Sequence, residues 1–221
     1  MEINMHKWTV DLLIRALIAF IGCVGIALGV SISGVMDMGM DPFAALWMAV
    51  SDFVPIGFGN IVFIVNLIIF TIAFFIDRSK FGLGTFINWV FCGYMIQYFT
   101  YYFTQIIGLG TDDMNLLIRV ILTLVGGTVF LLGAAFYMSA GLGVAPLDAI
   151  APILEEKTPL SFAQGRFLHE VICLILAFIL GGPVGVMTLY LGFFAGPMLA
   201  LFRSKLTEPF VRKVTREGIR D

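Results

Sequence analysis

The chain has 221 residues, of which 60% are hydrophobic and only 13% charged, with a net charge of −2. That composition is of a polytopic membrane protein and excludes a separate water-soluble domain. The near-neutral balance gives no electrostatic footprint for nucleic acid.

Crossing ~30 Å of hydrocarbon takes about 20 mostly apolar residues as helix, and only helices or closed barrels satisfy their backbones there. Barrel-type alternation is absent. After a short N-terminal segment, 1–10, the apolar runs at 11–33, 59–77, 81–105, 116–138, 163–181 and 184–203 predict six transmembrane helices. The first run carries no small-residue cleavage motif, so it reads as a span and not as a signal peptide. It ends at Gly39-Met40-Asp41-Pro42, and the segment 43–53 that follows reaches only about 16 Å as helix, too short to span. The fourth run ends likewise, at Gly143-Val144-Ala145-Pro146. Glycine permits the reversal and proline suits a first helical turn, so each break predicts a broken or re-entrant half-helix, with an interfacial helix capping a loop as the alternative.

These two breaks belong to an internal repeat. Leu12-Leu13-Ile14-Arg15 recurs as Leu116-Leu117-Ile118-Arg119, and at the same offset of 104 residues Gly29 meets Gly133, Gly39 meets Gly143, Pro42 meets Pro146 and Phe63 meets Phe167. One deletion later Thr85 matches Thr188 and Gly93 matches Gly196. The chain therefore divides into a first repeat at 11–105, a linker at 106–115, a second repeat at 116–203 and a basic tail at 204–221. With the N-terminus inside, Lys7, Arg15, Arg78, Lys80, Lys157, Arg166 and the tail from Arg203 onward are cytoplasmic. The opposite loops hold Asp37, Asp41, Asp52, Asp112 and Asp113 and neither Lys nor Arg, as the positive-inside rule expects. Arg119 is the exception, expected to snorkel to headgroups or to pair with Asp112 or Asp113. Three spans per repeat is an odd number, so the expected fold is an all-α membrane protein with a 3+3 inverted-topology repeat. Inverted repeats recur in secondary transporters, with binding sites at short, Gly/Pro-interrupted segments.

The candidate pathway residues are Asp41, Pro42, Asn60, Asn66, Asn88, Pro146, Asp148, Gln164, His169 and Glu170. Asn60 and Asn66 in the second span have Gln164 and Glu170 as counterparts in the fifth; polar side chains inside apolar spans are functional candidates by default. His169 and Glu170 are adjacent and so point about 100° apart on a helix. Arg166, four residues before Glu170, shares its face and can form an ion pair with it, an alternative to a proton-carrying role for Glu170. Asp148 reads either as tuning the site or as an early-turn carboxylate favoured by the helix dipole. Asn88 can hydrogen-bond across the bundle, while Gly84, Gly93, Gly192 and Gly196 read as packing positions. Cys23, Cys92 and Cys173 show no CxxC spacing and histidines are sparse, so neither a metal centre, a cofactor nor a disulfide framework is expected. No Walker loop, dinucleotide fingerprint or nucleophile elbow occurs, and an enzyme is not expected.

The Gly-x-x-Pro elements, the Phe58-Gly59 and Phe162-Ala163 pairs and the Gly82-Leu83-Gly84-Thr85 stretch resemble the YczE/YitT-type bacterial integral membrane proteins over residues 10–203. The resemblance implies about six spans in a bacterial membrane and carries no substrate. Its Gly-x-x-Pro-x-Asp or Trp variant is matched by Asp148 and not by Ala44. The expected function is a secondary transporter or permease in the cell membrane, both termini cytoplasmic, for a small, anionic or zwitterionic solute. A non-transporting accessory or scaffold protein is the alternative, and homo-oligomerisation is left open. Besides the solute, the expected partner is the lipid bilayer.

Overall fold

The computed structural model describes residues 2–56, 58–111 and 114–215, the side chains of residues 2–8 and of Phe58 excepted. It contains helices and no strand among those residues. Asp112, Asp113, Arg216 and Arg220 lie outside the described residues, as do the side chains of His6 and Lys7.

Helix α1 (Glu2–Val35) packs along α6 (Leu116–Ser139), and the two form the centre of the molecule. The glycines at matched positions make this closeness possible. A Cβ added at Gly29 would lie 2.3 Å from the Phe130 backbone nitrogen, and one at Gly133 would lie 2.5 Å from that of Ile26. Small residues admit such backbone contact where hydrocarbon solvent supplies no hydrophobic drive between helices.

Each central helix is capped by an arginine from the other. Arg119 donates to the Met36 carbonyl from Nε at 3.0 Å and from a terminal nitrogen at 2.7 Å, and to the Asp37 carbonyl at 3.2 Å. Arg15 donates to the Ala140 carbonyl at 3.3 Å and is also bound to Asp11 at 2.9 Å. Arg119 is thus held by a helix C-terminus, whose unsatisfied carbonyls attract a cation. Arg119 therefore turns to the end of α1 and not simply to headgroups, while Asp112 and Asp113, its other expected partners, lie outside the described residues.

After α1 the chain reverses at Gly39, whose φ of 91° favours glycine, and Asp41 caps α2 (Pro42–Ser51) by accepting from the Ala44 nitrogen at 3.0 Å. Gly143 reverses the chain in the second break at φ 93°. The position matching Asp41 is Ala145, which has no side-chain acceptor. There the chain makes a 3₁₀ turn (Leu147–Ala149) before α7 (Ile150–Lys157). Tightening of this kind satisfies end groups that a cap would otherwise take.

Helix α3 (Phe58–Ile76) leads to a 3₁₀ turn (Arg78–Lys80), where the Ser79 side chain and backbone both donate to Asp77 and hold its carboxyl down at about 2. Lys80 pairs with Glu156. Helices α8 (Phe162–Ile179) and α9 (Val186–Phe202) follow, and a π-helical turn (Arg203–Thr207) carries α9 into α10 (Glu208–Val214).

Among the described residues, five helices are long and apolar enough to cross a membrane: Thr9–Val35, Gly59–Ile76, Leu116–Ser139, Phe162–Ile179 and Val186–Val214. The stretch expected as the third span is helical over 83–106 but changes type along its length. It runs as α4 (Leu83–Ile87), a π turn (Asn88–Cys92), α5 (Gly93–Tyr101) and a second π turn (Tyr102–Ile106). Asn88, Gln97 and the tyrosines make it less apolar than the others, which is why it falls outside that group.

Candidate functional site

The site is built where the two breaks meet α8. That helix opens with a capping box: Gln164 Oε1 accepts from the Ser161 nitrogen at 2.9 Å, and the Gln164 nitrogen donates to Ser161 Oγ at 3.3 Å. Gln164 is exposed, so its side chain closes the helix end and does not face the interior. Gln164→Ala should therefore cost about 1 kcal/mol, read as a lower unfolding midpoint in detergent.

One turn later the helix turns charge inward. Arg166 and Glu170, four apart and on one face, are 6% and 3% exposed. The guanidinium lies 2.7 Å from Glu170 Oε1 with one terminal nitrogen and 2.7 Å from Asp148 Oδ1 with the other. The expected ion pair of α8 is therefore a triad, completed by the second break. Asp148 was legible as a candidate, but no spacing rule links it to Arg166, because the turn that carries it and α8 meet only in the folded chain. Asp41, at the first break, lies within electrostatic range of the same guanidinium. Counting these groups as ionised gives one cation and three carboxylates, a net of −2.

The breaks also share an apolar cluster. Met40 and Phe43 from the first pack with Leu147 from the second, against Cys173 and Ala177 of α8. The Phe43 ring sits 6.3 Å from the His169 ring and 6.0 Å from Trp47. His169 turns Nε2 to Cys173 Sγ at 3.6 Å and makes no pair with Glu170, as its helical position requires. Among the described residues, Arg166 Nε, Glu170 Oε2, His169 Nδ1 and Trp47 Nε1 are buried without a hydrogen-bond partner. Groups of this kind cost roughly 1–3 kcal/mol each when left unmatched, so their clustering on facing sides of α2 and α8 is chemically meaningful. They offer two donors, one acceptor and one imidazole nitrogen that serves as either.

Of the remaining candidates, the prolines sit in the breaks themselves and the asparagines make other contacts. Pro42 and Pro146 are buried in the breaks. Asn60 is exposed, and Asn66, half-buried on α3, gives its amide to Val62 of its own helix at 3.0 Å. No hydrogen bond joins Asn66 to Glu170 among the described residues. Asn88 reaches across to Cys23 of α1, with Nδ2 3.8 Å from Sγ.

A cavity of about 70 Å³ opens beside the first break, lined by Ser33, Gly39, Asp41, Phe130, Met187 and Leu191, among others. Of the expected pathway residues it includes Asp41. Its size admits a few waters or a small ion and falls well below the roughly 300 Å³ at which metabolite pockets begin.

Apolar helices of spanning length, packed backbone to backbone and enclosing a buried ion triad, define a multi-pass helical membrane protein. The chain belongs to a family of unknown function, DUF6198, which matches it over residues 13–204. It is similar to the uncharacterized protein YyaS of Bacillus subtilis (strain 168), at 25% identity over 196 residues, 89% of this chain and 96% of that protein. It is also similar to the uncharacterized membrane protein YczE of the same organism, at 26% identity over 191 residues, 86% of this chain and 85% of that one. The YczE-type kinship read from the Gly-x-x-Pro elements is thereby established. No solved structure matches the chain.

Proposed function

We propose that the protein is a six-span secondary transporter built from two inverted halves, carrying a small solute past the site where both breaks meet α8. The observation that carries this reading is the exchange of contacts between the halves. Gly84 donates from its backbone to the Leu142 carbonyl at 2.7 Å, and the matching residues, Met187 and Met38, make the same bond at 2.9 Å. Val144 donates to Lys80 at 2.8 Å, and Met40 to Pro183 at 3.4 Å. The arginine caps at Ala140 and Met36 exchange in the same way. Pairs that swap partners at a constant offset are what a two-fold relation produces, and an odd number of spans per half lays that axis in the membrane plane.

The halves are alike in backbone contacts and unlike in filling. Ser33 lines the cavity at the first break, whereas Tyr137, its counterpart, is fully buried. Both residues are buried, so the halves differ in how fully the space beside each break is filled, tyrosine occupying in one half what the serine leaves as a cavity in the other. The unmatched donors and the acceptor near Arg166 and Glu170 fit a solute with both carboxylate and ammonium or hydroxyl groups. Among the described residues no three His, Cys, Asp or Glu side chains stand close enough to share a metal ion. Glu170, buried with Oε2 unpartnered among those residues, is the group this site offers for carrying a coupling proton.

Two measurements test the reading. In a background without the native cysteines, single cysteines at Asp52 and Ser79 should label from outside and from the cytoplasm respectively with an impermeant maleimide. External labelling at Ser79 would sink the orientation and the inverted repeat together. A thermal-shift screen of purified protein against a metabolite panel supplies the solute. Glu170→Gln should then abolish proton-driven accumulation in proteoliposomes while leaving exchange intact; undiminished accumulation would remove Glu170 from coupling.

A further inference from the structure

We infer that the outward face of the helical run 83–106 is an interface with a second copy of this chain, centred on Gln97. The inference rests on the six-span reading, because it needs this run to lie within hydrocarbon. Gln97 lies 14 residues from Leu83 and nine from Ile106, about 21 Å and 14 Å at helical rise, which puts it well inside a ~30 Å core.

Beyond the apolar Phe86 and Val90, what projects from the middle and outer part of this face is polar. Tyr94 is 73% exposed, Tyr98 62% and Tyr101 58%, and Gln97 is exposed between them. Spacings of three, four and seven residues set Tyr94, Gln97, Tyr98 and Tyr101 on one side of the helix. Their side chains make no hydrogen bond among the described residues, and acyl chains can offer them none. Tyrosines belong at the membrane interface, where the hydroxyl meets water, and an amide facing lipid wants a protein partner.

The matching helix shows what this face lacks. In the second half Gly196 is pressed against α8, an added Cβ lying 2.4 Å from the Ala163 carbonyl oxygen. The counterparts of those two residues are Gly93 and Gly59, and neither has any neighbouring atom within 4 Å of an added Cβ. The run touches α3 through Trp89, against Phe63 and Phe70, but stands away from it at Gly93, and the gap there lets another backbone approach.

Symmetry selects the occupant. All copies enter the bilayer in one direction, so a two-fold dimer has its axis along the membrane normal and sets each axial residue against itself. Only groups that both donate and accept can pair in that way. Glutamine amides and tyrosine hydroxyls do so; lysine or aspartate would repel its own image.

The test is disulfide trapping of the full chain in membranes, in a background where Cys23, Cys92 and Cys173 are replaced. Gln97→Cys and Tyr101→Cys should give a dimer band on mild oxidation, while Ile72→Cys on the lipid side of α3 should not. Adding Gly93→Leu, which meets open space within the monomer, should reduce the Gln97→Cys band at least tenfold. Co-purification of two differently tagged copies confirms that the band is a homodimer. A monomer at every position, equal trapping at Ile72, or trapping only to a different protein overturns the proposal. Maleimide accessibility of Gln105→Cys and Ser79→Cys from opposite sides establishes separately that the run crosses. If both label from one side, the six-span reading and the dimer fail together; if they label from opposite sides without trapping, the dimer alone fails.

Discussion

Replacing Arg166 by leucine should destabilise the protein by about 3–5 kcal/mol, the range for stripping the partner from buried charge. Asp148 and Glu170 both lean on this guanidinium at 2.7 Å, and the Glu170 side chain is 4% exposed, so water cannot stand in for the lost partner. Arg166→Leu/Glu170→Leu should recover only part of the loss, because Asp148 remains unpaired. Adding Asp148→Asn should restore most of it, since a buried ion cluster replaced as a unit is often neutral. Unfolding midpoints of the purified variants in detergent check this ordering. An Arg166→Leu protein as stable as the wild type would refute the triad as a structural unit. Function separates from stability in the triple variant. If it folds and the proposed accumulation of solute persists, Glu170 has no part in coupling; if it folds and loses an accumulation that the wild type shows, the triad serves that proposed function as well as stability.

The second large effect belongs to the breaks. Gly143→Ala should cost more than about 3 kcal/mol and leave little folded protein in the membrane. The residue sits at φ 93°, where a side chain brings strain of roughly 1–3 kcal/mol. Its new Cβ would lie 2.4 Å from the Gly82 nitrogen and 2.9 Å from Thr85 Oγ1. No flexible side chain can yield there, since the obstacle is the backbone that opens α4. Gly39→Ala meets the same obstruction at the Gly185 nitrogen, 2.5 Å away, and should behave alike. Gly34→Ala is the control: it is helical, has nothing within 4 Å and should be neutral or slightly stabilising. Fluorescence-detection size exclusion of tagged variants reads all three. A well-folded Gly143→Ala protein would mean that the loop between α3 and α4 is free to move away from the break.

Much of this architecture was legible because membrane solvent simplifies the code. Apolar runs of spanning length mark helices, and Gly39, Pro42, Gly143 and Pro146 mark breaks, each for a local backbone reason that needs no neighbour. The Arg166–Glu170 pair was visible too, since a spacing of four sets both on one face. Asp41 was placed among the candidates, and its role as the cap of α2 follows from its position beside Pro42. The run 83–106 was harder to read, because its two π turns and the polar residues among its aromatics blur the signal of a uniform apolar helix.

Contacts between distant segments had no local signature. Nothing in the linker says that Arg119 closes the end of α1, since the charges nearest to it in the chain are aspartates. Gln164 and Glu170 look equally polar along α8, yet the first serves the helix end and the second is buried; only the packing of α2 and α7 against that helix separates them. Asp148 joined Arg166 for the same reason, across a turn that brings 18 residues of separation down to 2.7 Å. The amino-acid sequence by itself determined the solvent, the helices, the breaks and the correspondence between halves, because these follow from composition and from backbone chemistry within a few residues. Tertiary structure alone decided which polar groups meet and which face outward, because a carboxylate buried in hydrocarbon is governed by its nearest cation, wherever in the chain that cation begins.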